Sequence, residues 1–345
     1  MANRRRATLA DVARKAGVGI ATVDRVLNAR APVSKETAAR VMSAAEALDY
    51  HARGLMRQRL RDLVPSKRLG FVLQKQSKWF YQELARAIQN AARAQPDIRA
   101  EVEIGFVESL SPNDLSQEIT RMAGRCDAVA AVSIDHPKVN EAIAAASEGG
   151  VPVFALLSRL TAPELAGFSG IDGNKAGRTA GWSMARLAGV ADEVGILVGS
   201  YRYLGHEALE AGFRSAMREY APEVRLRESI VYLDDRAVAY EAASELLANA
   251  PGLGGIYHIG GGVSGVVTAL AESGRGRELT YICQEQSPAT RQALIDGIAD
   301  IVIATPIADV AGAAVDAMAR HLCSVTPPAP DYAIAEFRLM TPESV

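Results

Sequence analysis

The chain has 345 residues, of which 49% are hydrophobic, so it can bury the cores of two or three domains. It contains no apolar run of membrane-spanning length and no hydrophobic signal core behind its basic N-terminus, which predicts a cytoplasmic protein without a membrane partner. Its cysteines, at positions 126, 283 and 323, form no Cys-x-x-Cys pair, so we expect reduced thiols and no metal site.

The charge is divided unevenly along the chain. The formal net charge is −2, but residues 1–68 contain 15 Lys and Arg against 6 Asp and Glu, a net charge of +9. The remaining residues therefore carry a net charge of −11. A basic segment neutralises phosphates and releases counterions, so the N-terminal part is predicted to bind nucleic acid in a salt-dependent way.

The first predicted elements are two short helices around a glycine. Thr8 stands at an N-cap position, and apolar residues follow at helical spacing as far as Gly17, which ends the helix. Val23 and Val26 give the second helix its buried stripe. Two such helices indicate a helix-turn-helix, whose second helix enters the major groove of DNA.

This region also carries a family resemblance. The segment Thr8–Asn28, with Val33–Thr37, Arg40–Val41 and Ala47–Tyr50, resembles the headpiece of the lactose-repressor (LacI/GalR) family of bacterial regulators. The resemblance implies a helix-turn-helix headpiece over residues 1–50 that binds double-stranded operator DNA. With the basic arm, the predicted DNA contacts are Arg4, Arg5, Arg6, Thr8, Ile20, Ala21, Thr22, Asp24, Arg25, Asn28, Ser34 and Thr37.

The resemblance assigns roles within the second helix. Its base-reading positions are Ile20, Ala21 and Arg25. Arg25 can donate two hydrogen bonds to guanine O6 and N7, whereas the two apolar side chains can contact a thymine methyl group. Thr22 and Asn28 are expected to bind phosphates. Asp24, where the family usually has serine, has three open roles: orienting Arg25, accepting from a cytosine amino group, or a simple surface position.

Residues 51–66 are predicted to form a hinge segment, which in the family folds on the operator and inserts a leucine into the minor groove. Here the position of that leucine is Arg59, and Ala52 replaces the usual proline. Two alternatives stay open: Met56 or Leu60 acts as the wedge, or Arg59 enters the groove as a charged reader. The predicted hinge contacts are Met56, Arg57, Arg59 and Leu60.

Beyond Ser66, continuous apolar runs alternate with helical stretches, a pattern typical of parallel sheets covered on both faces. The runs are Leu69–Leu73, Val102–Val107, Ala128–Ile134, Val151–Leu157, Val194–Val198, Ile230–Leu233, Gly255–Ile259, Leu279–Cys283 and Ile301–Ala304. Two series of runs predict two doubly wound lobes with a cleft at the carboxyl ends of the strands. We place this α/β effector domain at residues 67–345, with lobe 1 at about 68–159 and 288–322 and lobe 2 at about 162–285 and 324–345.

This part of the chain resembles the type I periplasmic-binding-protein fold, which the family uses as its effector sensor. The resemblance rests on Ile171–Asn174 with Ala176–Gly177, on Gly199–Phe213 and on Cys283–Glu285. It implies that a small-molecule effector binds in the cleft. The predicted effector-site residues are Trp79, Phe80, Asp135, Ser158, Arg159, Asp172, Asn174, His206, Leu209, His258 and Glu285.

Four of these residues have roles implied by the resemblance. Trp79 and Phe80 match aromatic residues that stack on a sugar ring, and Arg159 matches an arginine that donates to hydroxyls or carboxylates. Glu285 stands where the family usually has an aspartate that accepts from hydroxyls. The glycines at 260–262 lack the spacing of a nucleotide-binding motif, so we interpret them as a tight turn.

The cleft also departs from the family pattern. Leu209 replaces an arginine and Ala304 replaces a glutamine, and each lost donor weakens the selection of a hydroxylated ligand by about 1–3 kcal/mol. His206 or His258 could substitute for these donors. A sugar, a sugar acid, a polyol derivative and a partly apolar metabolite all remain open as the effector.

The functional prediction is a DNA-binding transcription regulator of repressor type, associated with the nucleoid. It is expected to bind a palindromic operator as a homodimer and to change affinity when a small metabolite closes the cleft. The alternative is a constitutive DNA-binding regulator with a degenerate, ligand-independent sensor domain. No nucleophile elbow or paired-carboxylate motif is found, so neither an enzyme nor a cofactor is expected.

Overall fold

The computed structural model describes residues 7–28, 33–52, 64–189 and 192–345. The predicted contacts of Arg4, Arg5, Arg6, Met56, Arg57, Arg59 and Leu60 lie outside the described residues. The chain divides into a first unit, which extends to Lys67 and takes in Ala94–Glu101, and a second unit that contains the rest.

The N-terminal region is a group of three helices, α1 (Leu9–Ala16), α2 (Ile20–Asn28) and α3 (Lys35–Ala47). The side chain of Thr8 accepts from the backbone N–H of Asp11, whose carboxylate accepts from the backbone N–H of Thr8 at 2.9 Å. This capping box begins α1. Gly17 ends it with a left-handed backbone (φ 65°), a conformation that glycine adopts without strain.

One small core holds these helices together, and an arginine fastens the turn between the first two. The core side chains include Val12, Val23, Val26, Val41 and Tyr50, all at most 3% exposed. From α3, Arg40 Nη2 donates to the carbonyl oxygens of Ala16 at 2.6 Å and Gly17 at 3.1 Å. Carbonyls that α1 leaves unpaired at its end are thus bonded, which fixes the angle between α1 and α2.

Two sheets follow the three-helix group along the chain. The first has the strand order β12-β5-β4-β3-β1-β2, and the pairings from β12 to β1 are parallel. Its strands are β1 (Ser66–Gln74), β2 (Arg99–Val107), β3 (Ala128–Ala131), β4 (Val153–Leu156), β5 (Gly167–Ile171) and β12 (Asp331–Ala335). Its connecting helices are α4 (Trp79–Ala94), α5 (Pro112–Ala123) and α6 (Pro137–Glu148), and α12 (Ile307–Cys323) packs on it.

The second sheet has the order β13-β11-β10-β9-β6-β7, with β8 also paired to β6. Only its β11–β13 pairing is antiparallel among the pairs of described strands. The strands are β6 (Glu193–Val198), β7 (Arg225–Leu226), β8 (Ile230–Val231), β9 (Leu253–Ile259), β10 (Thr280–Gln284), β11 (Ile301–Ala304) and β13 (Arg338–Met340). Its helices are α7 (Gly173–Leu187), α8 (Leu204–Tyr220), α9 (Arg236–Asn249), α10 (Val263–Glu272) and α11 (Pro288–Ile295). Two doubly wound parallel lobes were the predicted architecture, and this prediction is confirmed.

The predicted division between the lobes was wrong in three places. Strand β5 belongs to the first sheet, because it pairs with β4 and β12. Helix α11 belongs to the second lobe, since its Ala293 and Leu294 pack in the same core as Leu270 and Tyr281. The tail divides, with β12 in the first sheet and β13 in the second. The chain therefore crosses between lobes after β5, after β11 and after β12.

Close glycine contacts set the position of α7 against α8 beside the cleft. A Cβ atom on Gly177 would lie 1.9 Å from the carbonyl oxygen of Leu209, and one on Gly212 would lie 2.2 Å from that of Asn174. No side chain fits at either position, so the two helices approach backbone to backbone. This contact fixes Asn174 and Leu209, which both face the cavity described below.

Three further features of the described residues bear on chemistry. No helix there has both the length and the apolar character needed to cross a membrane. No group of three or more histidine, cysteine or acidic side chains among them is placed to hold a metal ion. The three cysteines are free thiols, with Cys126 and Cys283 buried and Cys323 exposed.

Candidate functional site

Helix α2 presents one buried face and one exposed face. Val23 and Val26 are at most 2% exposed and anchor the helix, whereas Ile20 is 56% exposed. Ala21 and Arg25 are exposed on the same outer surface. Within the described ranges no acceptor holds the Arg25 guanidinium, so all its donors stay available. An exposed isoleucine beside an exposed arginine is the surface that a groove-reading helix needs.

Most of the other predicted DNA contacts among the described head residues make local side-chain hydrogen bonds. Asn28 Nδ2 donates to Asp24 Oδ1 at 2.6 Å, one helical turn apart. The hydroxyl of Thr8 donates to Asp11 at 2.7 Å, and Ser34 Oγ donates to Thr37 Oγ1 at 2.8 Å while capping α3. Thr22 is half-buried. The structure thus presents Asp24 and Asn28 as a pair, an arrangement that the sequence reading did not include.

A cavity of about 430 Å³ lies where the carboxyl ends of the strands of the two sheets face each other. Both lobes and the crossovers contribute to its wall. Of the predicted effector residues, those that line it are Phe80, Ser158, Arg159, Asp172, Asn174, His206, Leu209 and Glu285. The structure therefore brings eight scattered positions into one site, although their roles toward a ligand remain a prediction.

Three predicted effector residues do not line the cavity, which corrects the sequence reading. Trp79 is half-buried at the start of α4, and the following residues Phe80 and Tyr81 take the cavity positions instead. Asp135 accepts from the backbone N–H and the hydroxyl of Thr161, at 2.8 and 2.9 Å, so it holds the segment after β4. The positions of Trp79 and Asp135 depend on the direction of their side chains, which the spacing of apolar residues in the sequence does not specify.

The third of these residues, His258, is a core residue of the second lobe. It is 0% exposed on β9, its Nε2 lies 2.6 Å from the Tyr232 hydroxyl, and its Nδ1 lies 2.7 Å from the Tyr281 hydroxyl. Burial lowers the pKa of His258 to about 4, so the ring is neutral at physiological pH. It satisfies two buried tyrosines and does not replace the lost ligand donors.

His206 does reach the cavity, from the first turn of α8. Its Nδ1 lies 3.1 Å from the carbonyl oxygen and 3.2 Å from the backbone nitrogen of Ser200. Burial lowers the pKa of His206, and the nearby Asp234 opposes this effect. A neutral imidazole, fixed on one side by Ser200, is therefore the form that faces a ligand.

The first lobe contributes a stacked arginine. The Arg159 guanidinium lies 5.1 Å from the centre of the Phe168 ring and 5.4 Å from that of Tyr332, which is cation–π distance on both sides. Beside it, Ser158 Oγ accepts from the backbone N–H of Gly205 in the other lobe at 3.1 Å. The stacking holds the guanidinium at the cavity edge.

Several cavity residues escaped the sequence reading. They are Gln74, Lys75, Lys78, Tyr81, Tyr203 and Asp234. Tyr81 directly follows Trp79 and Phe80, so extending the predicted aromatic pair by one residue would have included it. Asp234 had no such signal, because Leu233 and Asp234 both adopt left-handed backbone (φ 54° and 52°) after β8 and carry the carboxylate into the cleft.

An acidic pair dominates the electrostatics of the second-lobe wall. Glu285, at the end of β10, has its pKa raised to about 8, first because the cleft removes water from it and second because Asp234 is near. The Lys78 ammonium opposes both effects. The Tyr81 pKa is also raised well above its usual value, chiefly by burial. Near neutral pH the Glu285 side chain is therefore largely protonated.

Fold and site together define a class: a two-lobed binding protein preceded by a helix-turn-helix head. Residues 69–324 match the family described as periplasmic binding protein domain, and residues 8–52 match bacterial regulatory proteins, lacI family. The chain belongs to the periplasmic-binding-protein-domain family over most of its length, and its head is a lacI-family helix-turn-helix domain. The family resemblance of the sequence is thereby confirmed.

Named relatives align with a short part of the chain. The HTH-type transcriptional regulator RegA of Clostridium acetobutylicum is 41% identical over 90 residues, which is 25% of either chain. The ribose operon repressor of Halalkalibacterium halodurans is 38% identical over 85 residues, and the transcriptional regulator GalR of Salmonella typhimurium is 38% identical over 90 residues. The chain thus spans about a quarter of the length of these curated relatives.

Solved structures resemble the two-lobed part. The glucose-galactose binding protein GanP of Geobacillus stearothermophilus superposes with a TM-score of 0.74 and 16% identity, over 81% of this chain and 99% of GanP. A solute-binding protein of Burkholderia graminis, in complex with D-arabinose, superposes with a TM-score of 0.73 and 19% identity, over 80% of this chain and 96% of its own. At these identities the likeness shows the fold.

Proposed function

We propose that this protein is a DNA-binding transcription regulator, a repressor that binds a palindromic operator as a homodimer and changes its affinity when a small metabolite occupies the cleft. Regulatory relatives that align with part of the chain support this assignment, as do sugar-binding structures with the same two-lobed fold. No catalytic step is proposed.

The outer face of α2 is the observation that carries the DNA-binding part. Arg25, which has no acceptor among the described residues, and the exposed Ile20 lie on a helix whose opposite face packs in a core. Arg25 would bind a guanine in the major groove, and Ile20 with Ala21 would contact thymine methyl groups. The Asp24–Asn28 pair would orient the helix, with Asn28 contacting a phosphate once the groove supplies one.

A homodimer is proposed because one headpiece alone contacts a short DNA sequence. One headpiece reads only a few base pairs, and two headpieces related by twofold symmetry read an inverted repeat. A sedimentation experiment on the full chain is expected to give the mass of two chains. A monomer at concentrations that saturate DNA would contradict this part of the proposal.

The cleft supports the proposal that a bound metabolite changes the affinity for DNA. A ligand that contacts both lobes binds one lobe arrangement better than another, so it shifts the equilibrium between arrangements. Such coupling is typically about 1–3 kcal/mol, or roughly 5- to 150-fold in operator affinity. Several polar side chains, among them Gln74, Asn174 and Arg159, line the cavity despite Leu209, which speaks against the ligand-independent alternative.

Footprinting tests this proposal. The purified protein is expected to protect a segment with two symmetric halves upstream of its own gene or of a neighbouring gene. Protection is expected to weaken steeply as salt rises, because phosphate contacts release counterions. Absence of any protected segment in these regions would sink the assignment.

A further inference from the structure

Two carboxylates of the second lobe converge on one glycine turn in the cavity. Asp234 Oδ1 lies 3.6 Å and Glu285 Oε2 lies 3.8 Å from the point where a Cβ of Gly261 would stand. Asp234 and Glu285 both have positive φ (52° and 71°), so the backbone adopts uncommon conformations to present them. Because residue 261 lacks a side chain, the space beside the two carboxylates stays open.

The described parts of the chain neutralise this pair poorly. Asp234 Oδ1 accepts one hydrogen bond, from the backbone N–H of Gly261 at 2.7 Å. No donor among the described residues bonds to Glu285, and the Lys78 ammonium acts on it without an ion pair within 4 Å. A carboxylate withdrawn from water without a partner either takes up a proton or pairs with a cation, so an ammonium group that enters the site competes with the proton on Glu285.

On the first-lobe wall of the cavity, Gln74 has an acceptor oxygen without a partner among the described residues. Gln74 is 1% exposed at the end of β1, and its Nε2 donates to the carbonyl oxygen of Val132 at 3.0 Å. Its Oε1 is buried without a hydrogen-bond partner in the described residues. Gln74 lines the cavity, so a donor on a ligand is the group that would satisfy this oxygen.

The charges of the cavity are separated by lobe. Its cations, Lys75, Lys78 and Arg159, all belong to the first lobe, whereas Asp234 and Glu285 belong to the second. A third carboxylate, Asp172, lies at the crossover after β5 and accepts from the backbone N–H of Lys175 at 3.0 Å as the cap of α7. The aromatic side chains of Phe80, Tyr81 and Tyr203 also line the cavity. Aromatic faces attract cations, and Leu209 offers no positive donor from α8 to compete with one.

We propose that the effector is a polyhydroxylated amine, such as an amino sugar, whose ammonium group binds between Asp234 and Glu285. This proposal deepens the sensor role proposed above and rests on it. The hydroxyls of the ligand donate to Gln74 and face the aromatic rings. A sugar acid is disfavoured at this end, because its carboxylate would meet the like charge of Asp234.

The pH dependence of binding has a definite sign. Free Glu285 has a pKa of about 8, so below that pH it must lose a proton before it can pair with an ammonium group. Affinity for an amine is therefore expected to rise as the pH rises toward 8, by up to tenfold per pH unit. A neutral ligand that accepts from protonated Glu285 would show the opposite trend.

Matched sets of ligands provide the test. The full-length protein is titrated by calorimetry and thermal shift with glucosamine, glucose and glucuronate, with galactosamine, galactose and galacturonate, and with 1-amino-1-deoxysorbitol and sorbitol. In at least one set, the amine is expected to bind at least tenfold more tightly than its partners. Its affinity is expected to rise from pH 6.5 to pH 7.5.

Three variants sharpen the result. Glu285→Gln and Asp234→Asn keep the side-chain shape and are each expected to weaken amine binding at least tenfold. Glu245→Gln removes an exposed carboxylate from α9, outside the cavity, and is expected to leave binding unchanged. Lys78→Met removes the competing ammonium and is expected to strengthen amine binding.

The outcomes separate this proposal from the one on which it rests. If a neutral or acidic sugar binds more tightly than its amine partner in every set that binds, the amine proposal is overturned and small-molecule sensing stands. If no compound stabilises the protein, both the amine proposal and the sensor role are contradicted. DNA binding is judged independently by the footprint.

Discussion

Helix α2 and the cleft are built in opposite ways. The candidate DNA surface is one face of a nine-residue helix, and its geometry follows from a capping box, one glycine and a few valines nearby in sequence. The cavity collects side chains from loops of two sheets, between Gln74 and Thr305. A substitution in the first site should change one contact, whereas the second depends on packing far from any ligand.

The largest expected effect is on the packing that supports the cleft. Gly177→Ala would place a Cβ 1.9 Å from the carbonyl oxygen of Leu209, so α7 and α8 must separate. We expect a loss of roughly 3 kcal/mol or more in the free energy of unfolding of the second unit. The measurement is chemical denaturation followed by circular dichroism.

The matched control for this change is Gly312→Ala in α12. A Cβ there would meet no atom within 4 Å, so the gain in helix propensity should stabilise the protein by about 0.5–1 kcal/mol. Equal effects of the two substitutions would refute the close-packing account.

Next in size is the loss of base recognition in the head. Arg25→Ala is expected to weaken specific DNA binding by about 1–3 kcal/mol, because a bidentate contact to guanine disappears. Fluorescence anisotropy with the footprinted sequence measures this change. Arg25→Lys keeps the charge and should recover only part of the affinity, while Arg186→Ala in α7 should leave it unaltered. Full recovery by lysine would argue for a phosphate contact instead.

The turn between α1 and α2 should show a smaller effect. Arg40→Met removes two hydrogen bonds to the Ala16 and Gly17 carbonyls and retains most of the side-chain volume. We expect the head to lose about 1–2 kcal/mol of stability. Thermal unfolding monitored by the NMR signals of head residues measures this loss. An unchanged transition would mean that water replaces the arginine without cost.

The last prediction concerns the direction in which stability changes with pH. Glu285 has a folded pKa of about 8 against an ordinary value of 4.5, so the folded protein binds the extra proton between these values and loses stability as the pH rises through that window. Glu285→Gln lacks this loss. Relative to wild type, the variant is expected to gain stability as the pH rises from 5 to 8. A constant difference across this range would contradict the raised pKa.

The sequence predicted the head well because its determinants are local. Thr8, Gly17 and the valine stripe act within one or two helical turns, and their periodicity is visible directly. The same local reading identified the strands that form long apolar runs. It missed four strands, β5, β7, β12 and β13. Strand β5 contains glycine and serine, β12 is only partly buried at a sheet edge, and β7 and β13 have two and three residues.

The cleft was predictable only in part. Residues directly at strand ends, such as Ser158 and Glu285, were placed correctly in the cavity wall. Asp234 was not, because two successive left-handed residues bring it there and non-glycine residues in that conformation give no sequence signal. His258 was misassigned because burial between two tyrosines is a tertiary property that a single histidine in a sequence does not reveal.

Selection from a library of random duplex DNA is the most direct test of whether the protein binds a specific palindromic operator. The wild-type chain and the Arg25→Ala variant are each taken through the same rounds of binding and sequencing. We expect the wild type to enrich an inverted repeat with a guanine at matching positions of both halves. The variant is expected to lose its preference for that guanine. Enrichment of no sequence by the wild-type protein would contradict the assignment as an operator-binding regulator.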